Sequence, residues 1–130
     1  MPTRKPVSDE EASPEVMAVF SDIRTTRNTN QINNFWRYLA NDPYELERTW
    51  KELKAVMGPG ELDPLTKELI YLAVSISNNC TYCIHSHTAA ARAKGVTEVQ
   101  LGEFHAIIGM AGKTNHLATA LQVPVDDAFK

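Results

Sequence analysis

The sequence predicts an all-helical protein, on three observations. Ser13-Pro14, Asp42-Pro43 and Asp63-Pro64 each place a capping side chain before a proline. That device satisfies free N–H groups and pre-sets φ for a first helical turn. Leu65, Leu69, Leu72 and Ile76 fall at i, i+4, i+7 and i+11, the repeat of one helix face. No segment shows the period-two alternation of a half-buried strand.

The elements follow in order. Residues 1–12 read as a flexible N-terminal arm, with Pro2 and Pro6 among charged and hydroxyl side chains and no periodicity. Residues 13–130 read as a single-domain bundle of about six helices. The first carries Val16, Val19, Phe20 and Ile23, and Thr25 to Gln31 is a polar connection. Asn33 or Asn34 caps a second with Phe35, Trp36 and Leu39, stopping near Asn41. The third carries Leu46, Trp50, Leu53, Val56 and Met57, and ends before Gly58-Pro59-Gly60.

In the fourth helix, Ile70, Ala73 and Val74 fill the faces beside the leucine stripe, so burial all round is expected. Asn78-Asn79 breaks it. A fifth helix spans Cys80 to Lys94, with Gly95 as its stop and Asn78 and Asn79 as caps. Thr97-Glu98-Val99-Gln100 has the capping-box pattern. It starts a sixth helix reaching about Leu121, loosened around Gly109 to Gly112, with an extended tail from Pro124.

Composition narrows the function. Thirteen basic against sixteen acidic side chains give a net charge of −3, with no basic tract, so nucleic acid is not an expected partner. No apolar stretch approaches the ~20 residues that span a bilayer, and the first twelve residues lack the apolar segment of a secretory signal. A cytoplasmic location without membrane attachment is expected. Structural disulfides are rare there. The two cysteines, Cys80 and Cys83, therefore point to redox chemistry or a metal rather than a staple.

The pattern that carries chemistry is Glu68-x11-Cys80-x2-Cys83-x3-His87. Residues at i and i+3 share a helix face, so Cys80 and Cys83 can meet at the first turn. There the free N–H groups and the helix dipole favour a thiolate. His87 lies one turn beyond Cys83. On one continuous rod Glu68 and Cys80 would stand about 18 Å apart and could not cooperate. If the chain reverses at Asn78-Asn79, Glu68 folds back near His87, which yields an antiparallel helix pair carrying the site. A buried carboxylate–imidazole–thiol line follows, with Glu68 orienting His87, His87 exchanging a proton with Cys83, and Cys80 at the mouth. Two other readings stay open: a zinc site from Cys80, Cys83, His87 and either Glu68 or His85, and a pair of simply buried thiols. Tyr82 and His85 are candidates for substrate contact.

The four spaced residues resemble the signature of the alkylhydroperoxidase D family, within the carboxymuconolactone decarboxylase-like superfamily, over about residues 45 to 120. The resemblance implies an all-helical, oligomeric protein, a trimer or hexamer, acting as a peroxidase or as a disulfide-relay adaptor for a peroxiredoxin. It implies that Cys83 attacks the peroxide, Cys80 resolves, and Glu68 and His87 relay the proton. Hydroperoxide is then the substrate, and no metal or organic cofactor is needed. An external dithiol, such as a lipoyl- or thioredoxin-like protein, supplies the electrons. Some members carry a histidine between the cysteines; here Thr81-Tyr82 stands there, and a different histidine sits at His85. The decarboxylase branch lacks the cysteine pair, which disfavours the lactone reaction. Phe35, Trp36, Tyr44, Trp50 and Met57, with the apolar fourth helix, exceed what a 130-residue interior readily holds. A homo-oligomer is expected on that ground too.

Overall fold

Four helices begin where a side-chain oxygen meets an otherwise unpaired N–H. In the computed structural model, which describes Met1–Lys130, the helices are α1 (Pro14–Arg27), α2 (Asn34–Leu39), α3 (Pro43–Met57), α4 (Pro64–Ser77), α5 (Thr81–Ala93) and α6 (Glu98–Ala120). A 3-10 turn at Asp127–Phe129 follows, in a tail expected to be extended. There is no strand, so the all-α class stands. Ser13 accepts from the Val16 N–H, Asp42 from Glu45 and Asp63 from Thr66. Thr97 and Gln100 complete a reciprocal capping box on α6. The α6 helix runs unbroken for 23 residues, without the expected loosening at Gly109 to Gly112. Its i→i−4 ladder carries the glycines at the modest cost of about 1 kcal/mol each relative to alanine.

Two compact units are distinguished within the chain, Met1–Gly58 and Pro59–Lys130. In the first, Val16, Val19, Phe20 and Ile23 from α1 pack with Ile32, Trp36, Ala40, Leu46 and Trp50. Trp36 and Trp50 meet edge to face at 5.4 Å. The Trp50 indole N–H is satisfied by Asp22 at 2.7 Å. The aromatic residues expected at a subunit contact thus divide: Trp36 and Trp50 are core, while Phe35 and Tyr44 are exposed. Within the arm expected to be flexible, Val7 and Asp9 make specific contacts. Val7 pairs with Arg37 through its N–H and its carbonyl, and Asp9 bridges Arg24 and Arg37.

The second unit carries the site. Asn79 takes a left-handed conformation (φ 55°) and turns the chain, and the Cys80 N–H closes back onto the Ser75 carbonyl at 3.0 Å. Asparagine tolerates that region better than most residues. As a result α4 and α5 form an antiparallel pair. Ala91, Val96 and Leu101 make a small core against Leu65, Leu69 and Phe104. Leu72 is fully buried. Burial of α4 all round does not hold, because α5 and the start of α6 cover one side only. Ile70 and Val74 are half exposed and Tyr71 is partly so.

At the far end of α5, Gly95 adopts φ +92°. The Gly95 and Val96 N–H groups close onto Arg92 and Ala91 carbonyls, which fixes where the helix stops. A Cβ at Gly95 would meet nothing within 4 Å, so any penalty is one of backbone conformation. Gly95→Ala is expected to cost about 1–2 kcal/mol. The check is a lower urea midpoint by circular dichroism at unchanged m-value.

Candidate functional site

The site is assembled by the α4–α5 reversal. Cys80 is itself the N-cap of α5, a role the sequence reading gave to Asn78 or Asn79. Its Sγ accepts from the Cys83 N–H at 3.2 Å. Asn79 supplies the turn instead. Cys80 and Cys83 are joined as a disulfide, with Cα atoms 5.2 Å apart. Both thiols are used in that bond, and no group of three His, Cys, Asp or Glu side chains is placed to hold a metal ion. Cys83 sits in the first turn of α5, where N–H groups lack intrahelical partners and the dipole favours negative charge.

One turn further along, His87 Nδ1 lies 2.7 Å from Glu68 Oε2. The pairing expected from the chain reversal is present. Glu68 is only 5% exposed, the most deeply buried charged residue of the chain. Burial is the largest single influence on its carboxyl and pushes its pKa up. Hydrogen bonds from His87 and Lys94 together outweigh it, so the pKa sits below the ordinary carboxylate value. An ionised carboxylate only accepts, so the proton of this bond resides on Nδ1, and in the neutral ring Nε2 is left as the basic nitrogen.

Two contacts were not anticipated. Lys94 Nζ lies 2.7 Å from Glu68 Oε1, so each carboxylate oxygen has its own partner. Tyr71 stacks on the His87 ring, with centroids 3.8 Å apart and planes inclined by 24°. It covers one ring face and restricts rotation of the imidazole. A signal for each was present in the sequence. Lys94 follows His87 by seven residues and Tyr71 follows Glu68 by three, and both spacings keep residues on one helix face. Ser75, buried beside them, donates its hydroxyl to the Tyr71 carbonyl at 2.8 Å. Tyr82 is 43% exposed at the start of α5. His85 is exposed two residues before His87, on a different flank of the helix.

Comparison with known proteins gives four findings. The model of the carboxymuconolactone decarboxylase family matches residues 44–126. A crystal structure of the alkylhydroperoxidase AhpD core from Rhodospirillum rubrum superposes with a TM-score of 0.96 at 60% identity, over 99% of this chain and 97% of that one. The alkyl hydroperoxide reductase AhpD of Solibacter usitatus is 33% identical over 97 residues, 75% of this chain and 53% of that protein. Uncharacterized protein 4 in the cox locus of Paracoccus denitrificans is 42% identical over 50 residues, 38% of this chain and 45% of that protein. The chain spans about half the length of these two curated relatives.

The depressed Glu68 pKa makes a stability claim with a definite sign. Its ionised form contributes stability that is complete above the unfolded value, about 4.3. That contribution is lost as pH falls through the lower folded value. Glu68→Gln is therefore expected to destabilise by on the order of 2 kcal/mol at neutral pH, the size of a charged hydrogen bond. The gap from wild type should shrink below about pH 4. Urea midpoints of both proteins across the acid range measure it, and a gap independent of pH would contradict the argument.

Proposed function

We propose a thiol-peroxidase function for this chain, which belongs to the carboxymuconolactone decarboxylase family and is related to alkylhydroperoxidase AhpD cores. The observation that carries the reading is the Glu68–His87 hydrogen bond, placed one turn behind a Cys80–Cys83 pair whose sulfurs are close enough to bond. The cycle starts from the reduced pair. His87 Nε2 takes the Cys83 proton, and the thiolate attacks the terminal oxygen of a hydroperoxide. The O–O bond breaks, sulfur is oxidised by two electrons to a sulfenic acid, and the departing alkoxide or hydroxide takes the proton back from His87. Cys80 then displaces water from that sulfur to give the Cys80–Cys83 disulfide. An external dithiol, lipoyl- or thioredoxin-like, reduces it by exchange. No bound metal or organic cofactor enters the cycle.

The family's name comes from a decarboxylase, and the redox-capable pair favours thiol chemistry here over that reaction. A disulfide adaptor serving a separate peroxiredoxin would use the same residues and skip the peroxide step.

Role assignment is tested by trapping. Cys83→Ser is expected to abolish peroxide consumption, whereas Cys80→Ser still reacts once and accumulates a sulfenic acid on Cys83. Mass spectrometry after a dimedone-type probe reads both. Label on Cys80 in Cys83→Ser, with none in Cys80→Ser, would reverse the roles. Wild-type thiols untouched by peroxide but oxidised by a peroxiredoxin disulfide would favour the adaptor.

The same reading includes assembly as a closed homo-oligomer, trimer or hexamer. It is supported by the apolar side chains left exposed within one unit, Ile70 and Val74 on α4 and Ile107, Met110 and Leu117 on α6. Sedimentation at micromolar concentration should show a species several times the 14.5 kDa chain. A lone monomer unchanged on concentration would overturn it.

A further inference from the structure

We propose that Lys94 is a positioning residue of the relay: its ammonium, 2.7 Å from Glu68 Oε1, holds the buried carboxylate ionised and aimed at His87 Nδ1. The inference rests on the thiol-peroxidase reading for its use and deepens it by naming what sets the working pH range of the nucleophile.

The helix places Lys94 for this task. At ~100° per residue, Cys83, His87 and Lys94 fall within about 40° of one another around α5, so they form one stripe facing α4. Lysine side chains on a helix lean toward its N-terminus, back over the preceding turns. Lys94, about 10 Å beyond His87 along the axis, thereby reaches the same carboxylate from the other side. The backbone at Lys94 is anchored, its N–H bonding the Ala90 and Ala91 carbonyls beside the Gly95 stop. Its side chain is 38% exposed while that of Glu68 is 7% exposed. The ammonium is therefore hydrated on one side and neutralises a buried charge on the other.

The chemistry explains why a charge is needed there. A neutral Glu68 would donate its O–H to His87 Nδ1. The imidazole proton would then sit on Nε2, which could no longer accept a proton from Cys83. Burial pushes Glu68 toward that neutral form, and Lys94 is the permanent cation opposing it. Among groups packed around Glu68, α5 contributes His87 and Lys94, and α4 itself contributes Tyr71, which lies on the His87 ring. From α6, whose start packs near Leu65 and Leu69, Glu98 is occupied by Arg92. No second fixed cation is paired with Glu68.

The test uses the full, reduced protein. Cys83 alkylation by iodoacetamide is followed against pH by mass spectrometry, and the His87 ring tautomer by 15N NMR. For Lys94→Met the acid limb of the rate profile is expected to move up by about one pH unit, with roughly tenfold slower alkylation on that limb. The 15N pattern should shift toward protonated Nε2. Lys94→Arg should restore the wild-type profile within about twofold, because it restores the charge. Lys94→Gln, which keeps a donor without charge, should behave like Lys94→Met. A folded Lys94→Met or Lys94→Gln protein with the wild-type limb and tautomer would overturn the proposal. Neither readout needs peroxide. A wild type inert to peroxide would refute the peroxidase reading alone, while the shifted limb would still establish the role of Lys94.

Discussion

A carboxylate shut away from water must be neutralised or paired, and the second unit is organised around that requirement at Glu68. Its two oxygens are answered by His87 and Lys94 from the facing helix. Leaving both unmet would strand a buried charge at a cost of several kcal/mol, more than any single apolar contact nearby contributes. The pairing thereby fixes the register of α4 against α5. A slip of one residue along either helix rotates a partner by ~100° and removes it from reach. Two pieces of punctuation make the register attainable: the left-handed Asn79 that reverses the chain, and the Gly95 stop that ends α5 just beyond Lys94.

Much of this was legible in the sequence, because helix punctuation is local. Ser13-Pro14, Asp42-Pro43, Asp63-Pro64 and Thr97-x-x-Gln100 each mark a start, and their side chains cap in the structure. The Glu68–His87 contact was also reachable, since it follows from spacing once a reversal at Asn78-Asn79 is granted. What stayed hidden depends on longer reach. A lysine at the C-cap of a helix is ordinarily read as complementing the dipole, and nothing local distinguishes Lys94 from that role. Tyr71 reads as packing on an apolar helix until its ring is found against His87. Cys80 displaced the asparagines as N-cap, because a sulfur drawn back toward Cys83 occupies the place where an asparagine oxygen would accept.

The α4 face taught a different lesson. Hydropathy all round a helix states that its surface calls for cover without saying what supplies it. Within one chain, α5 and the first turns of α6 cover the Leu65 and Leu69 side and leave Ile70 and Val74 half exposed. The N-terminal arm shows the converse. Its composition suggested mobility, and within it Asp9 meets Arg24 and Arg37 while Val7 makes backbone bonds to Arg37.

Magnitudes decide why so many groups would converge on one thiol. A free cysteine titrates near 8.5, so at neutral pH only a few per cent is thiolate. A helix start favours the thiolate, yet such a terminus contributes at most about 2 kcal/mol, roughly 1.5 pH units, to any thiol placed there. From the free value, a shift of that size alone still leaves roughly half of such thiols protonated at neutral pH. In the proposed cycle a base one turn away, His87, closes the gap, provided its free nitrogen carries no proton. That condition belongs to Glu68, which keeps the proton on Nδ1 only while it is ionised. Under the thiol-peroxidase reading, reactivity at the first turn of α5 depends on a charge held at its C-cap, with Glu68 the charged member contributed by α4. The stripe of Cys83, His87 and Lys94 along one helix face is the simplest way for a single helix to carry that dependence from one end to the other.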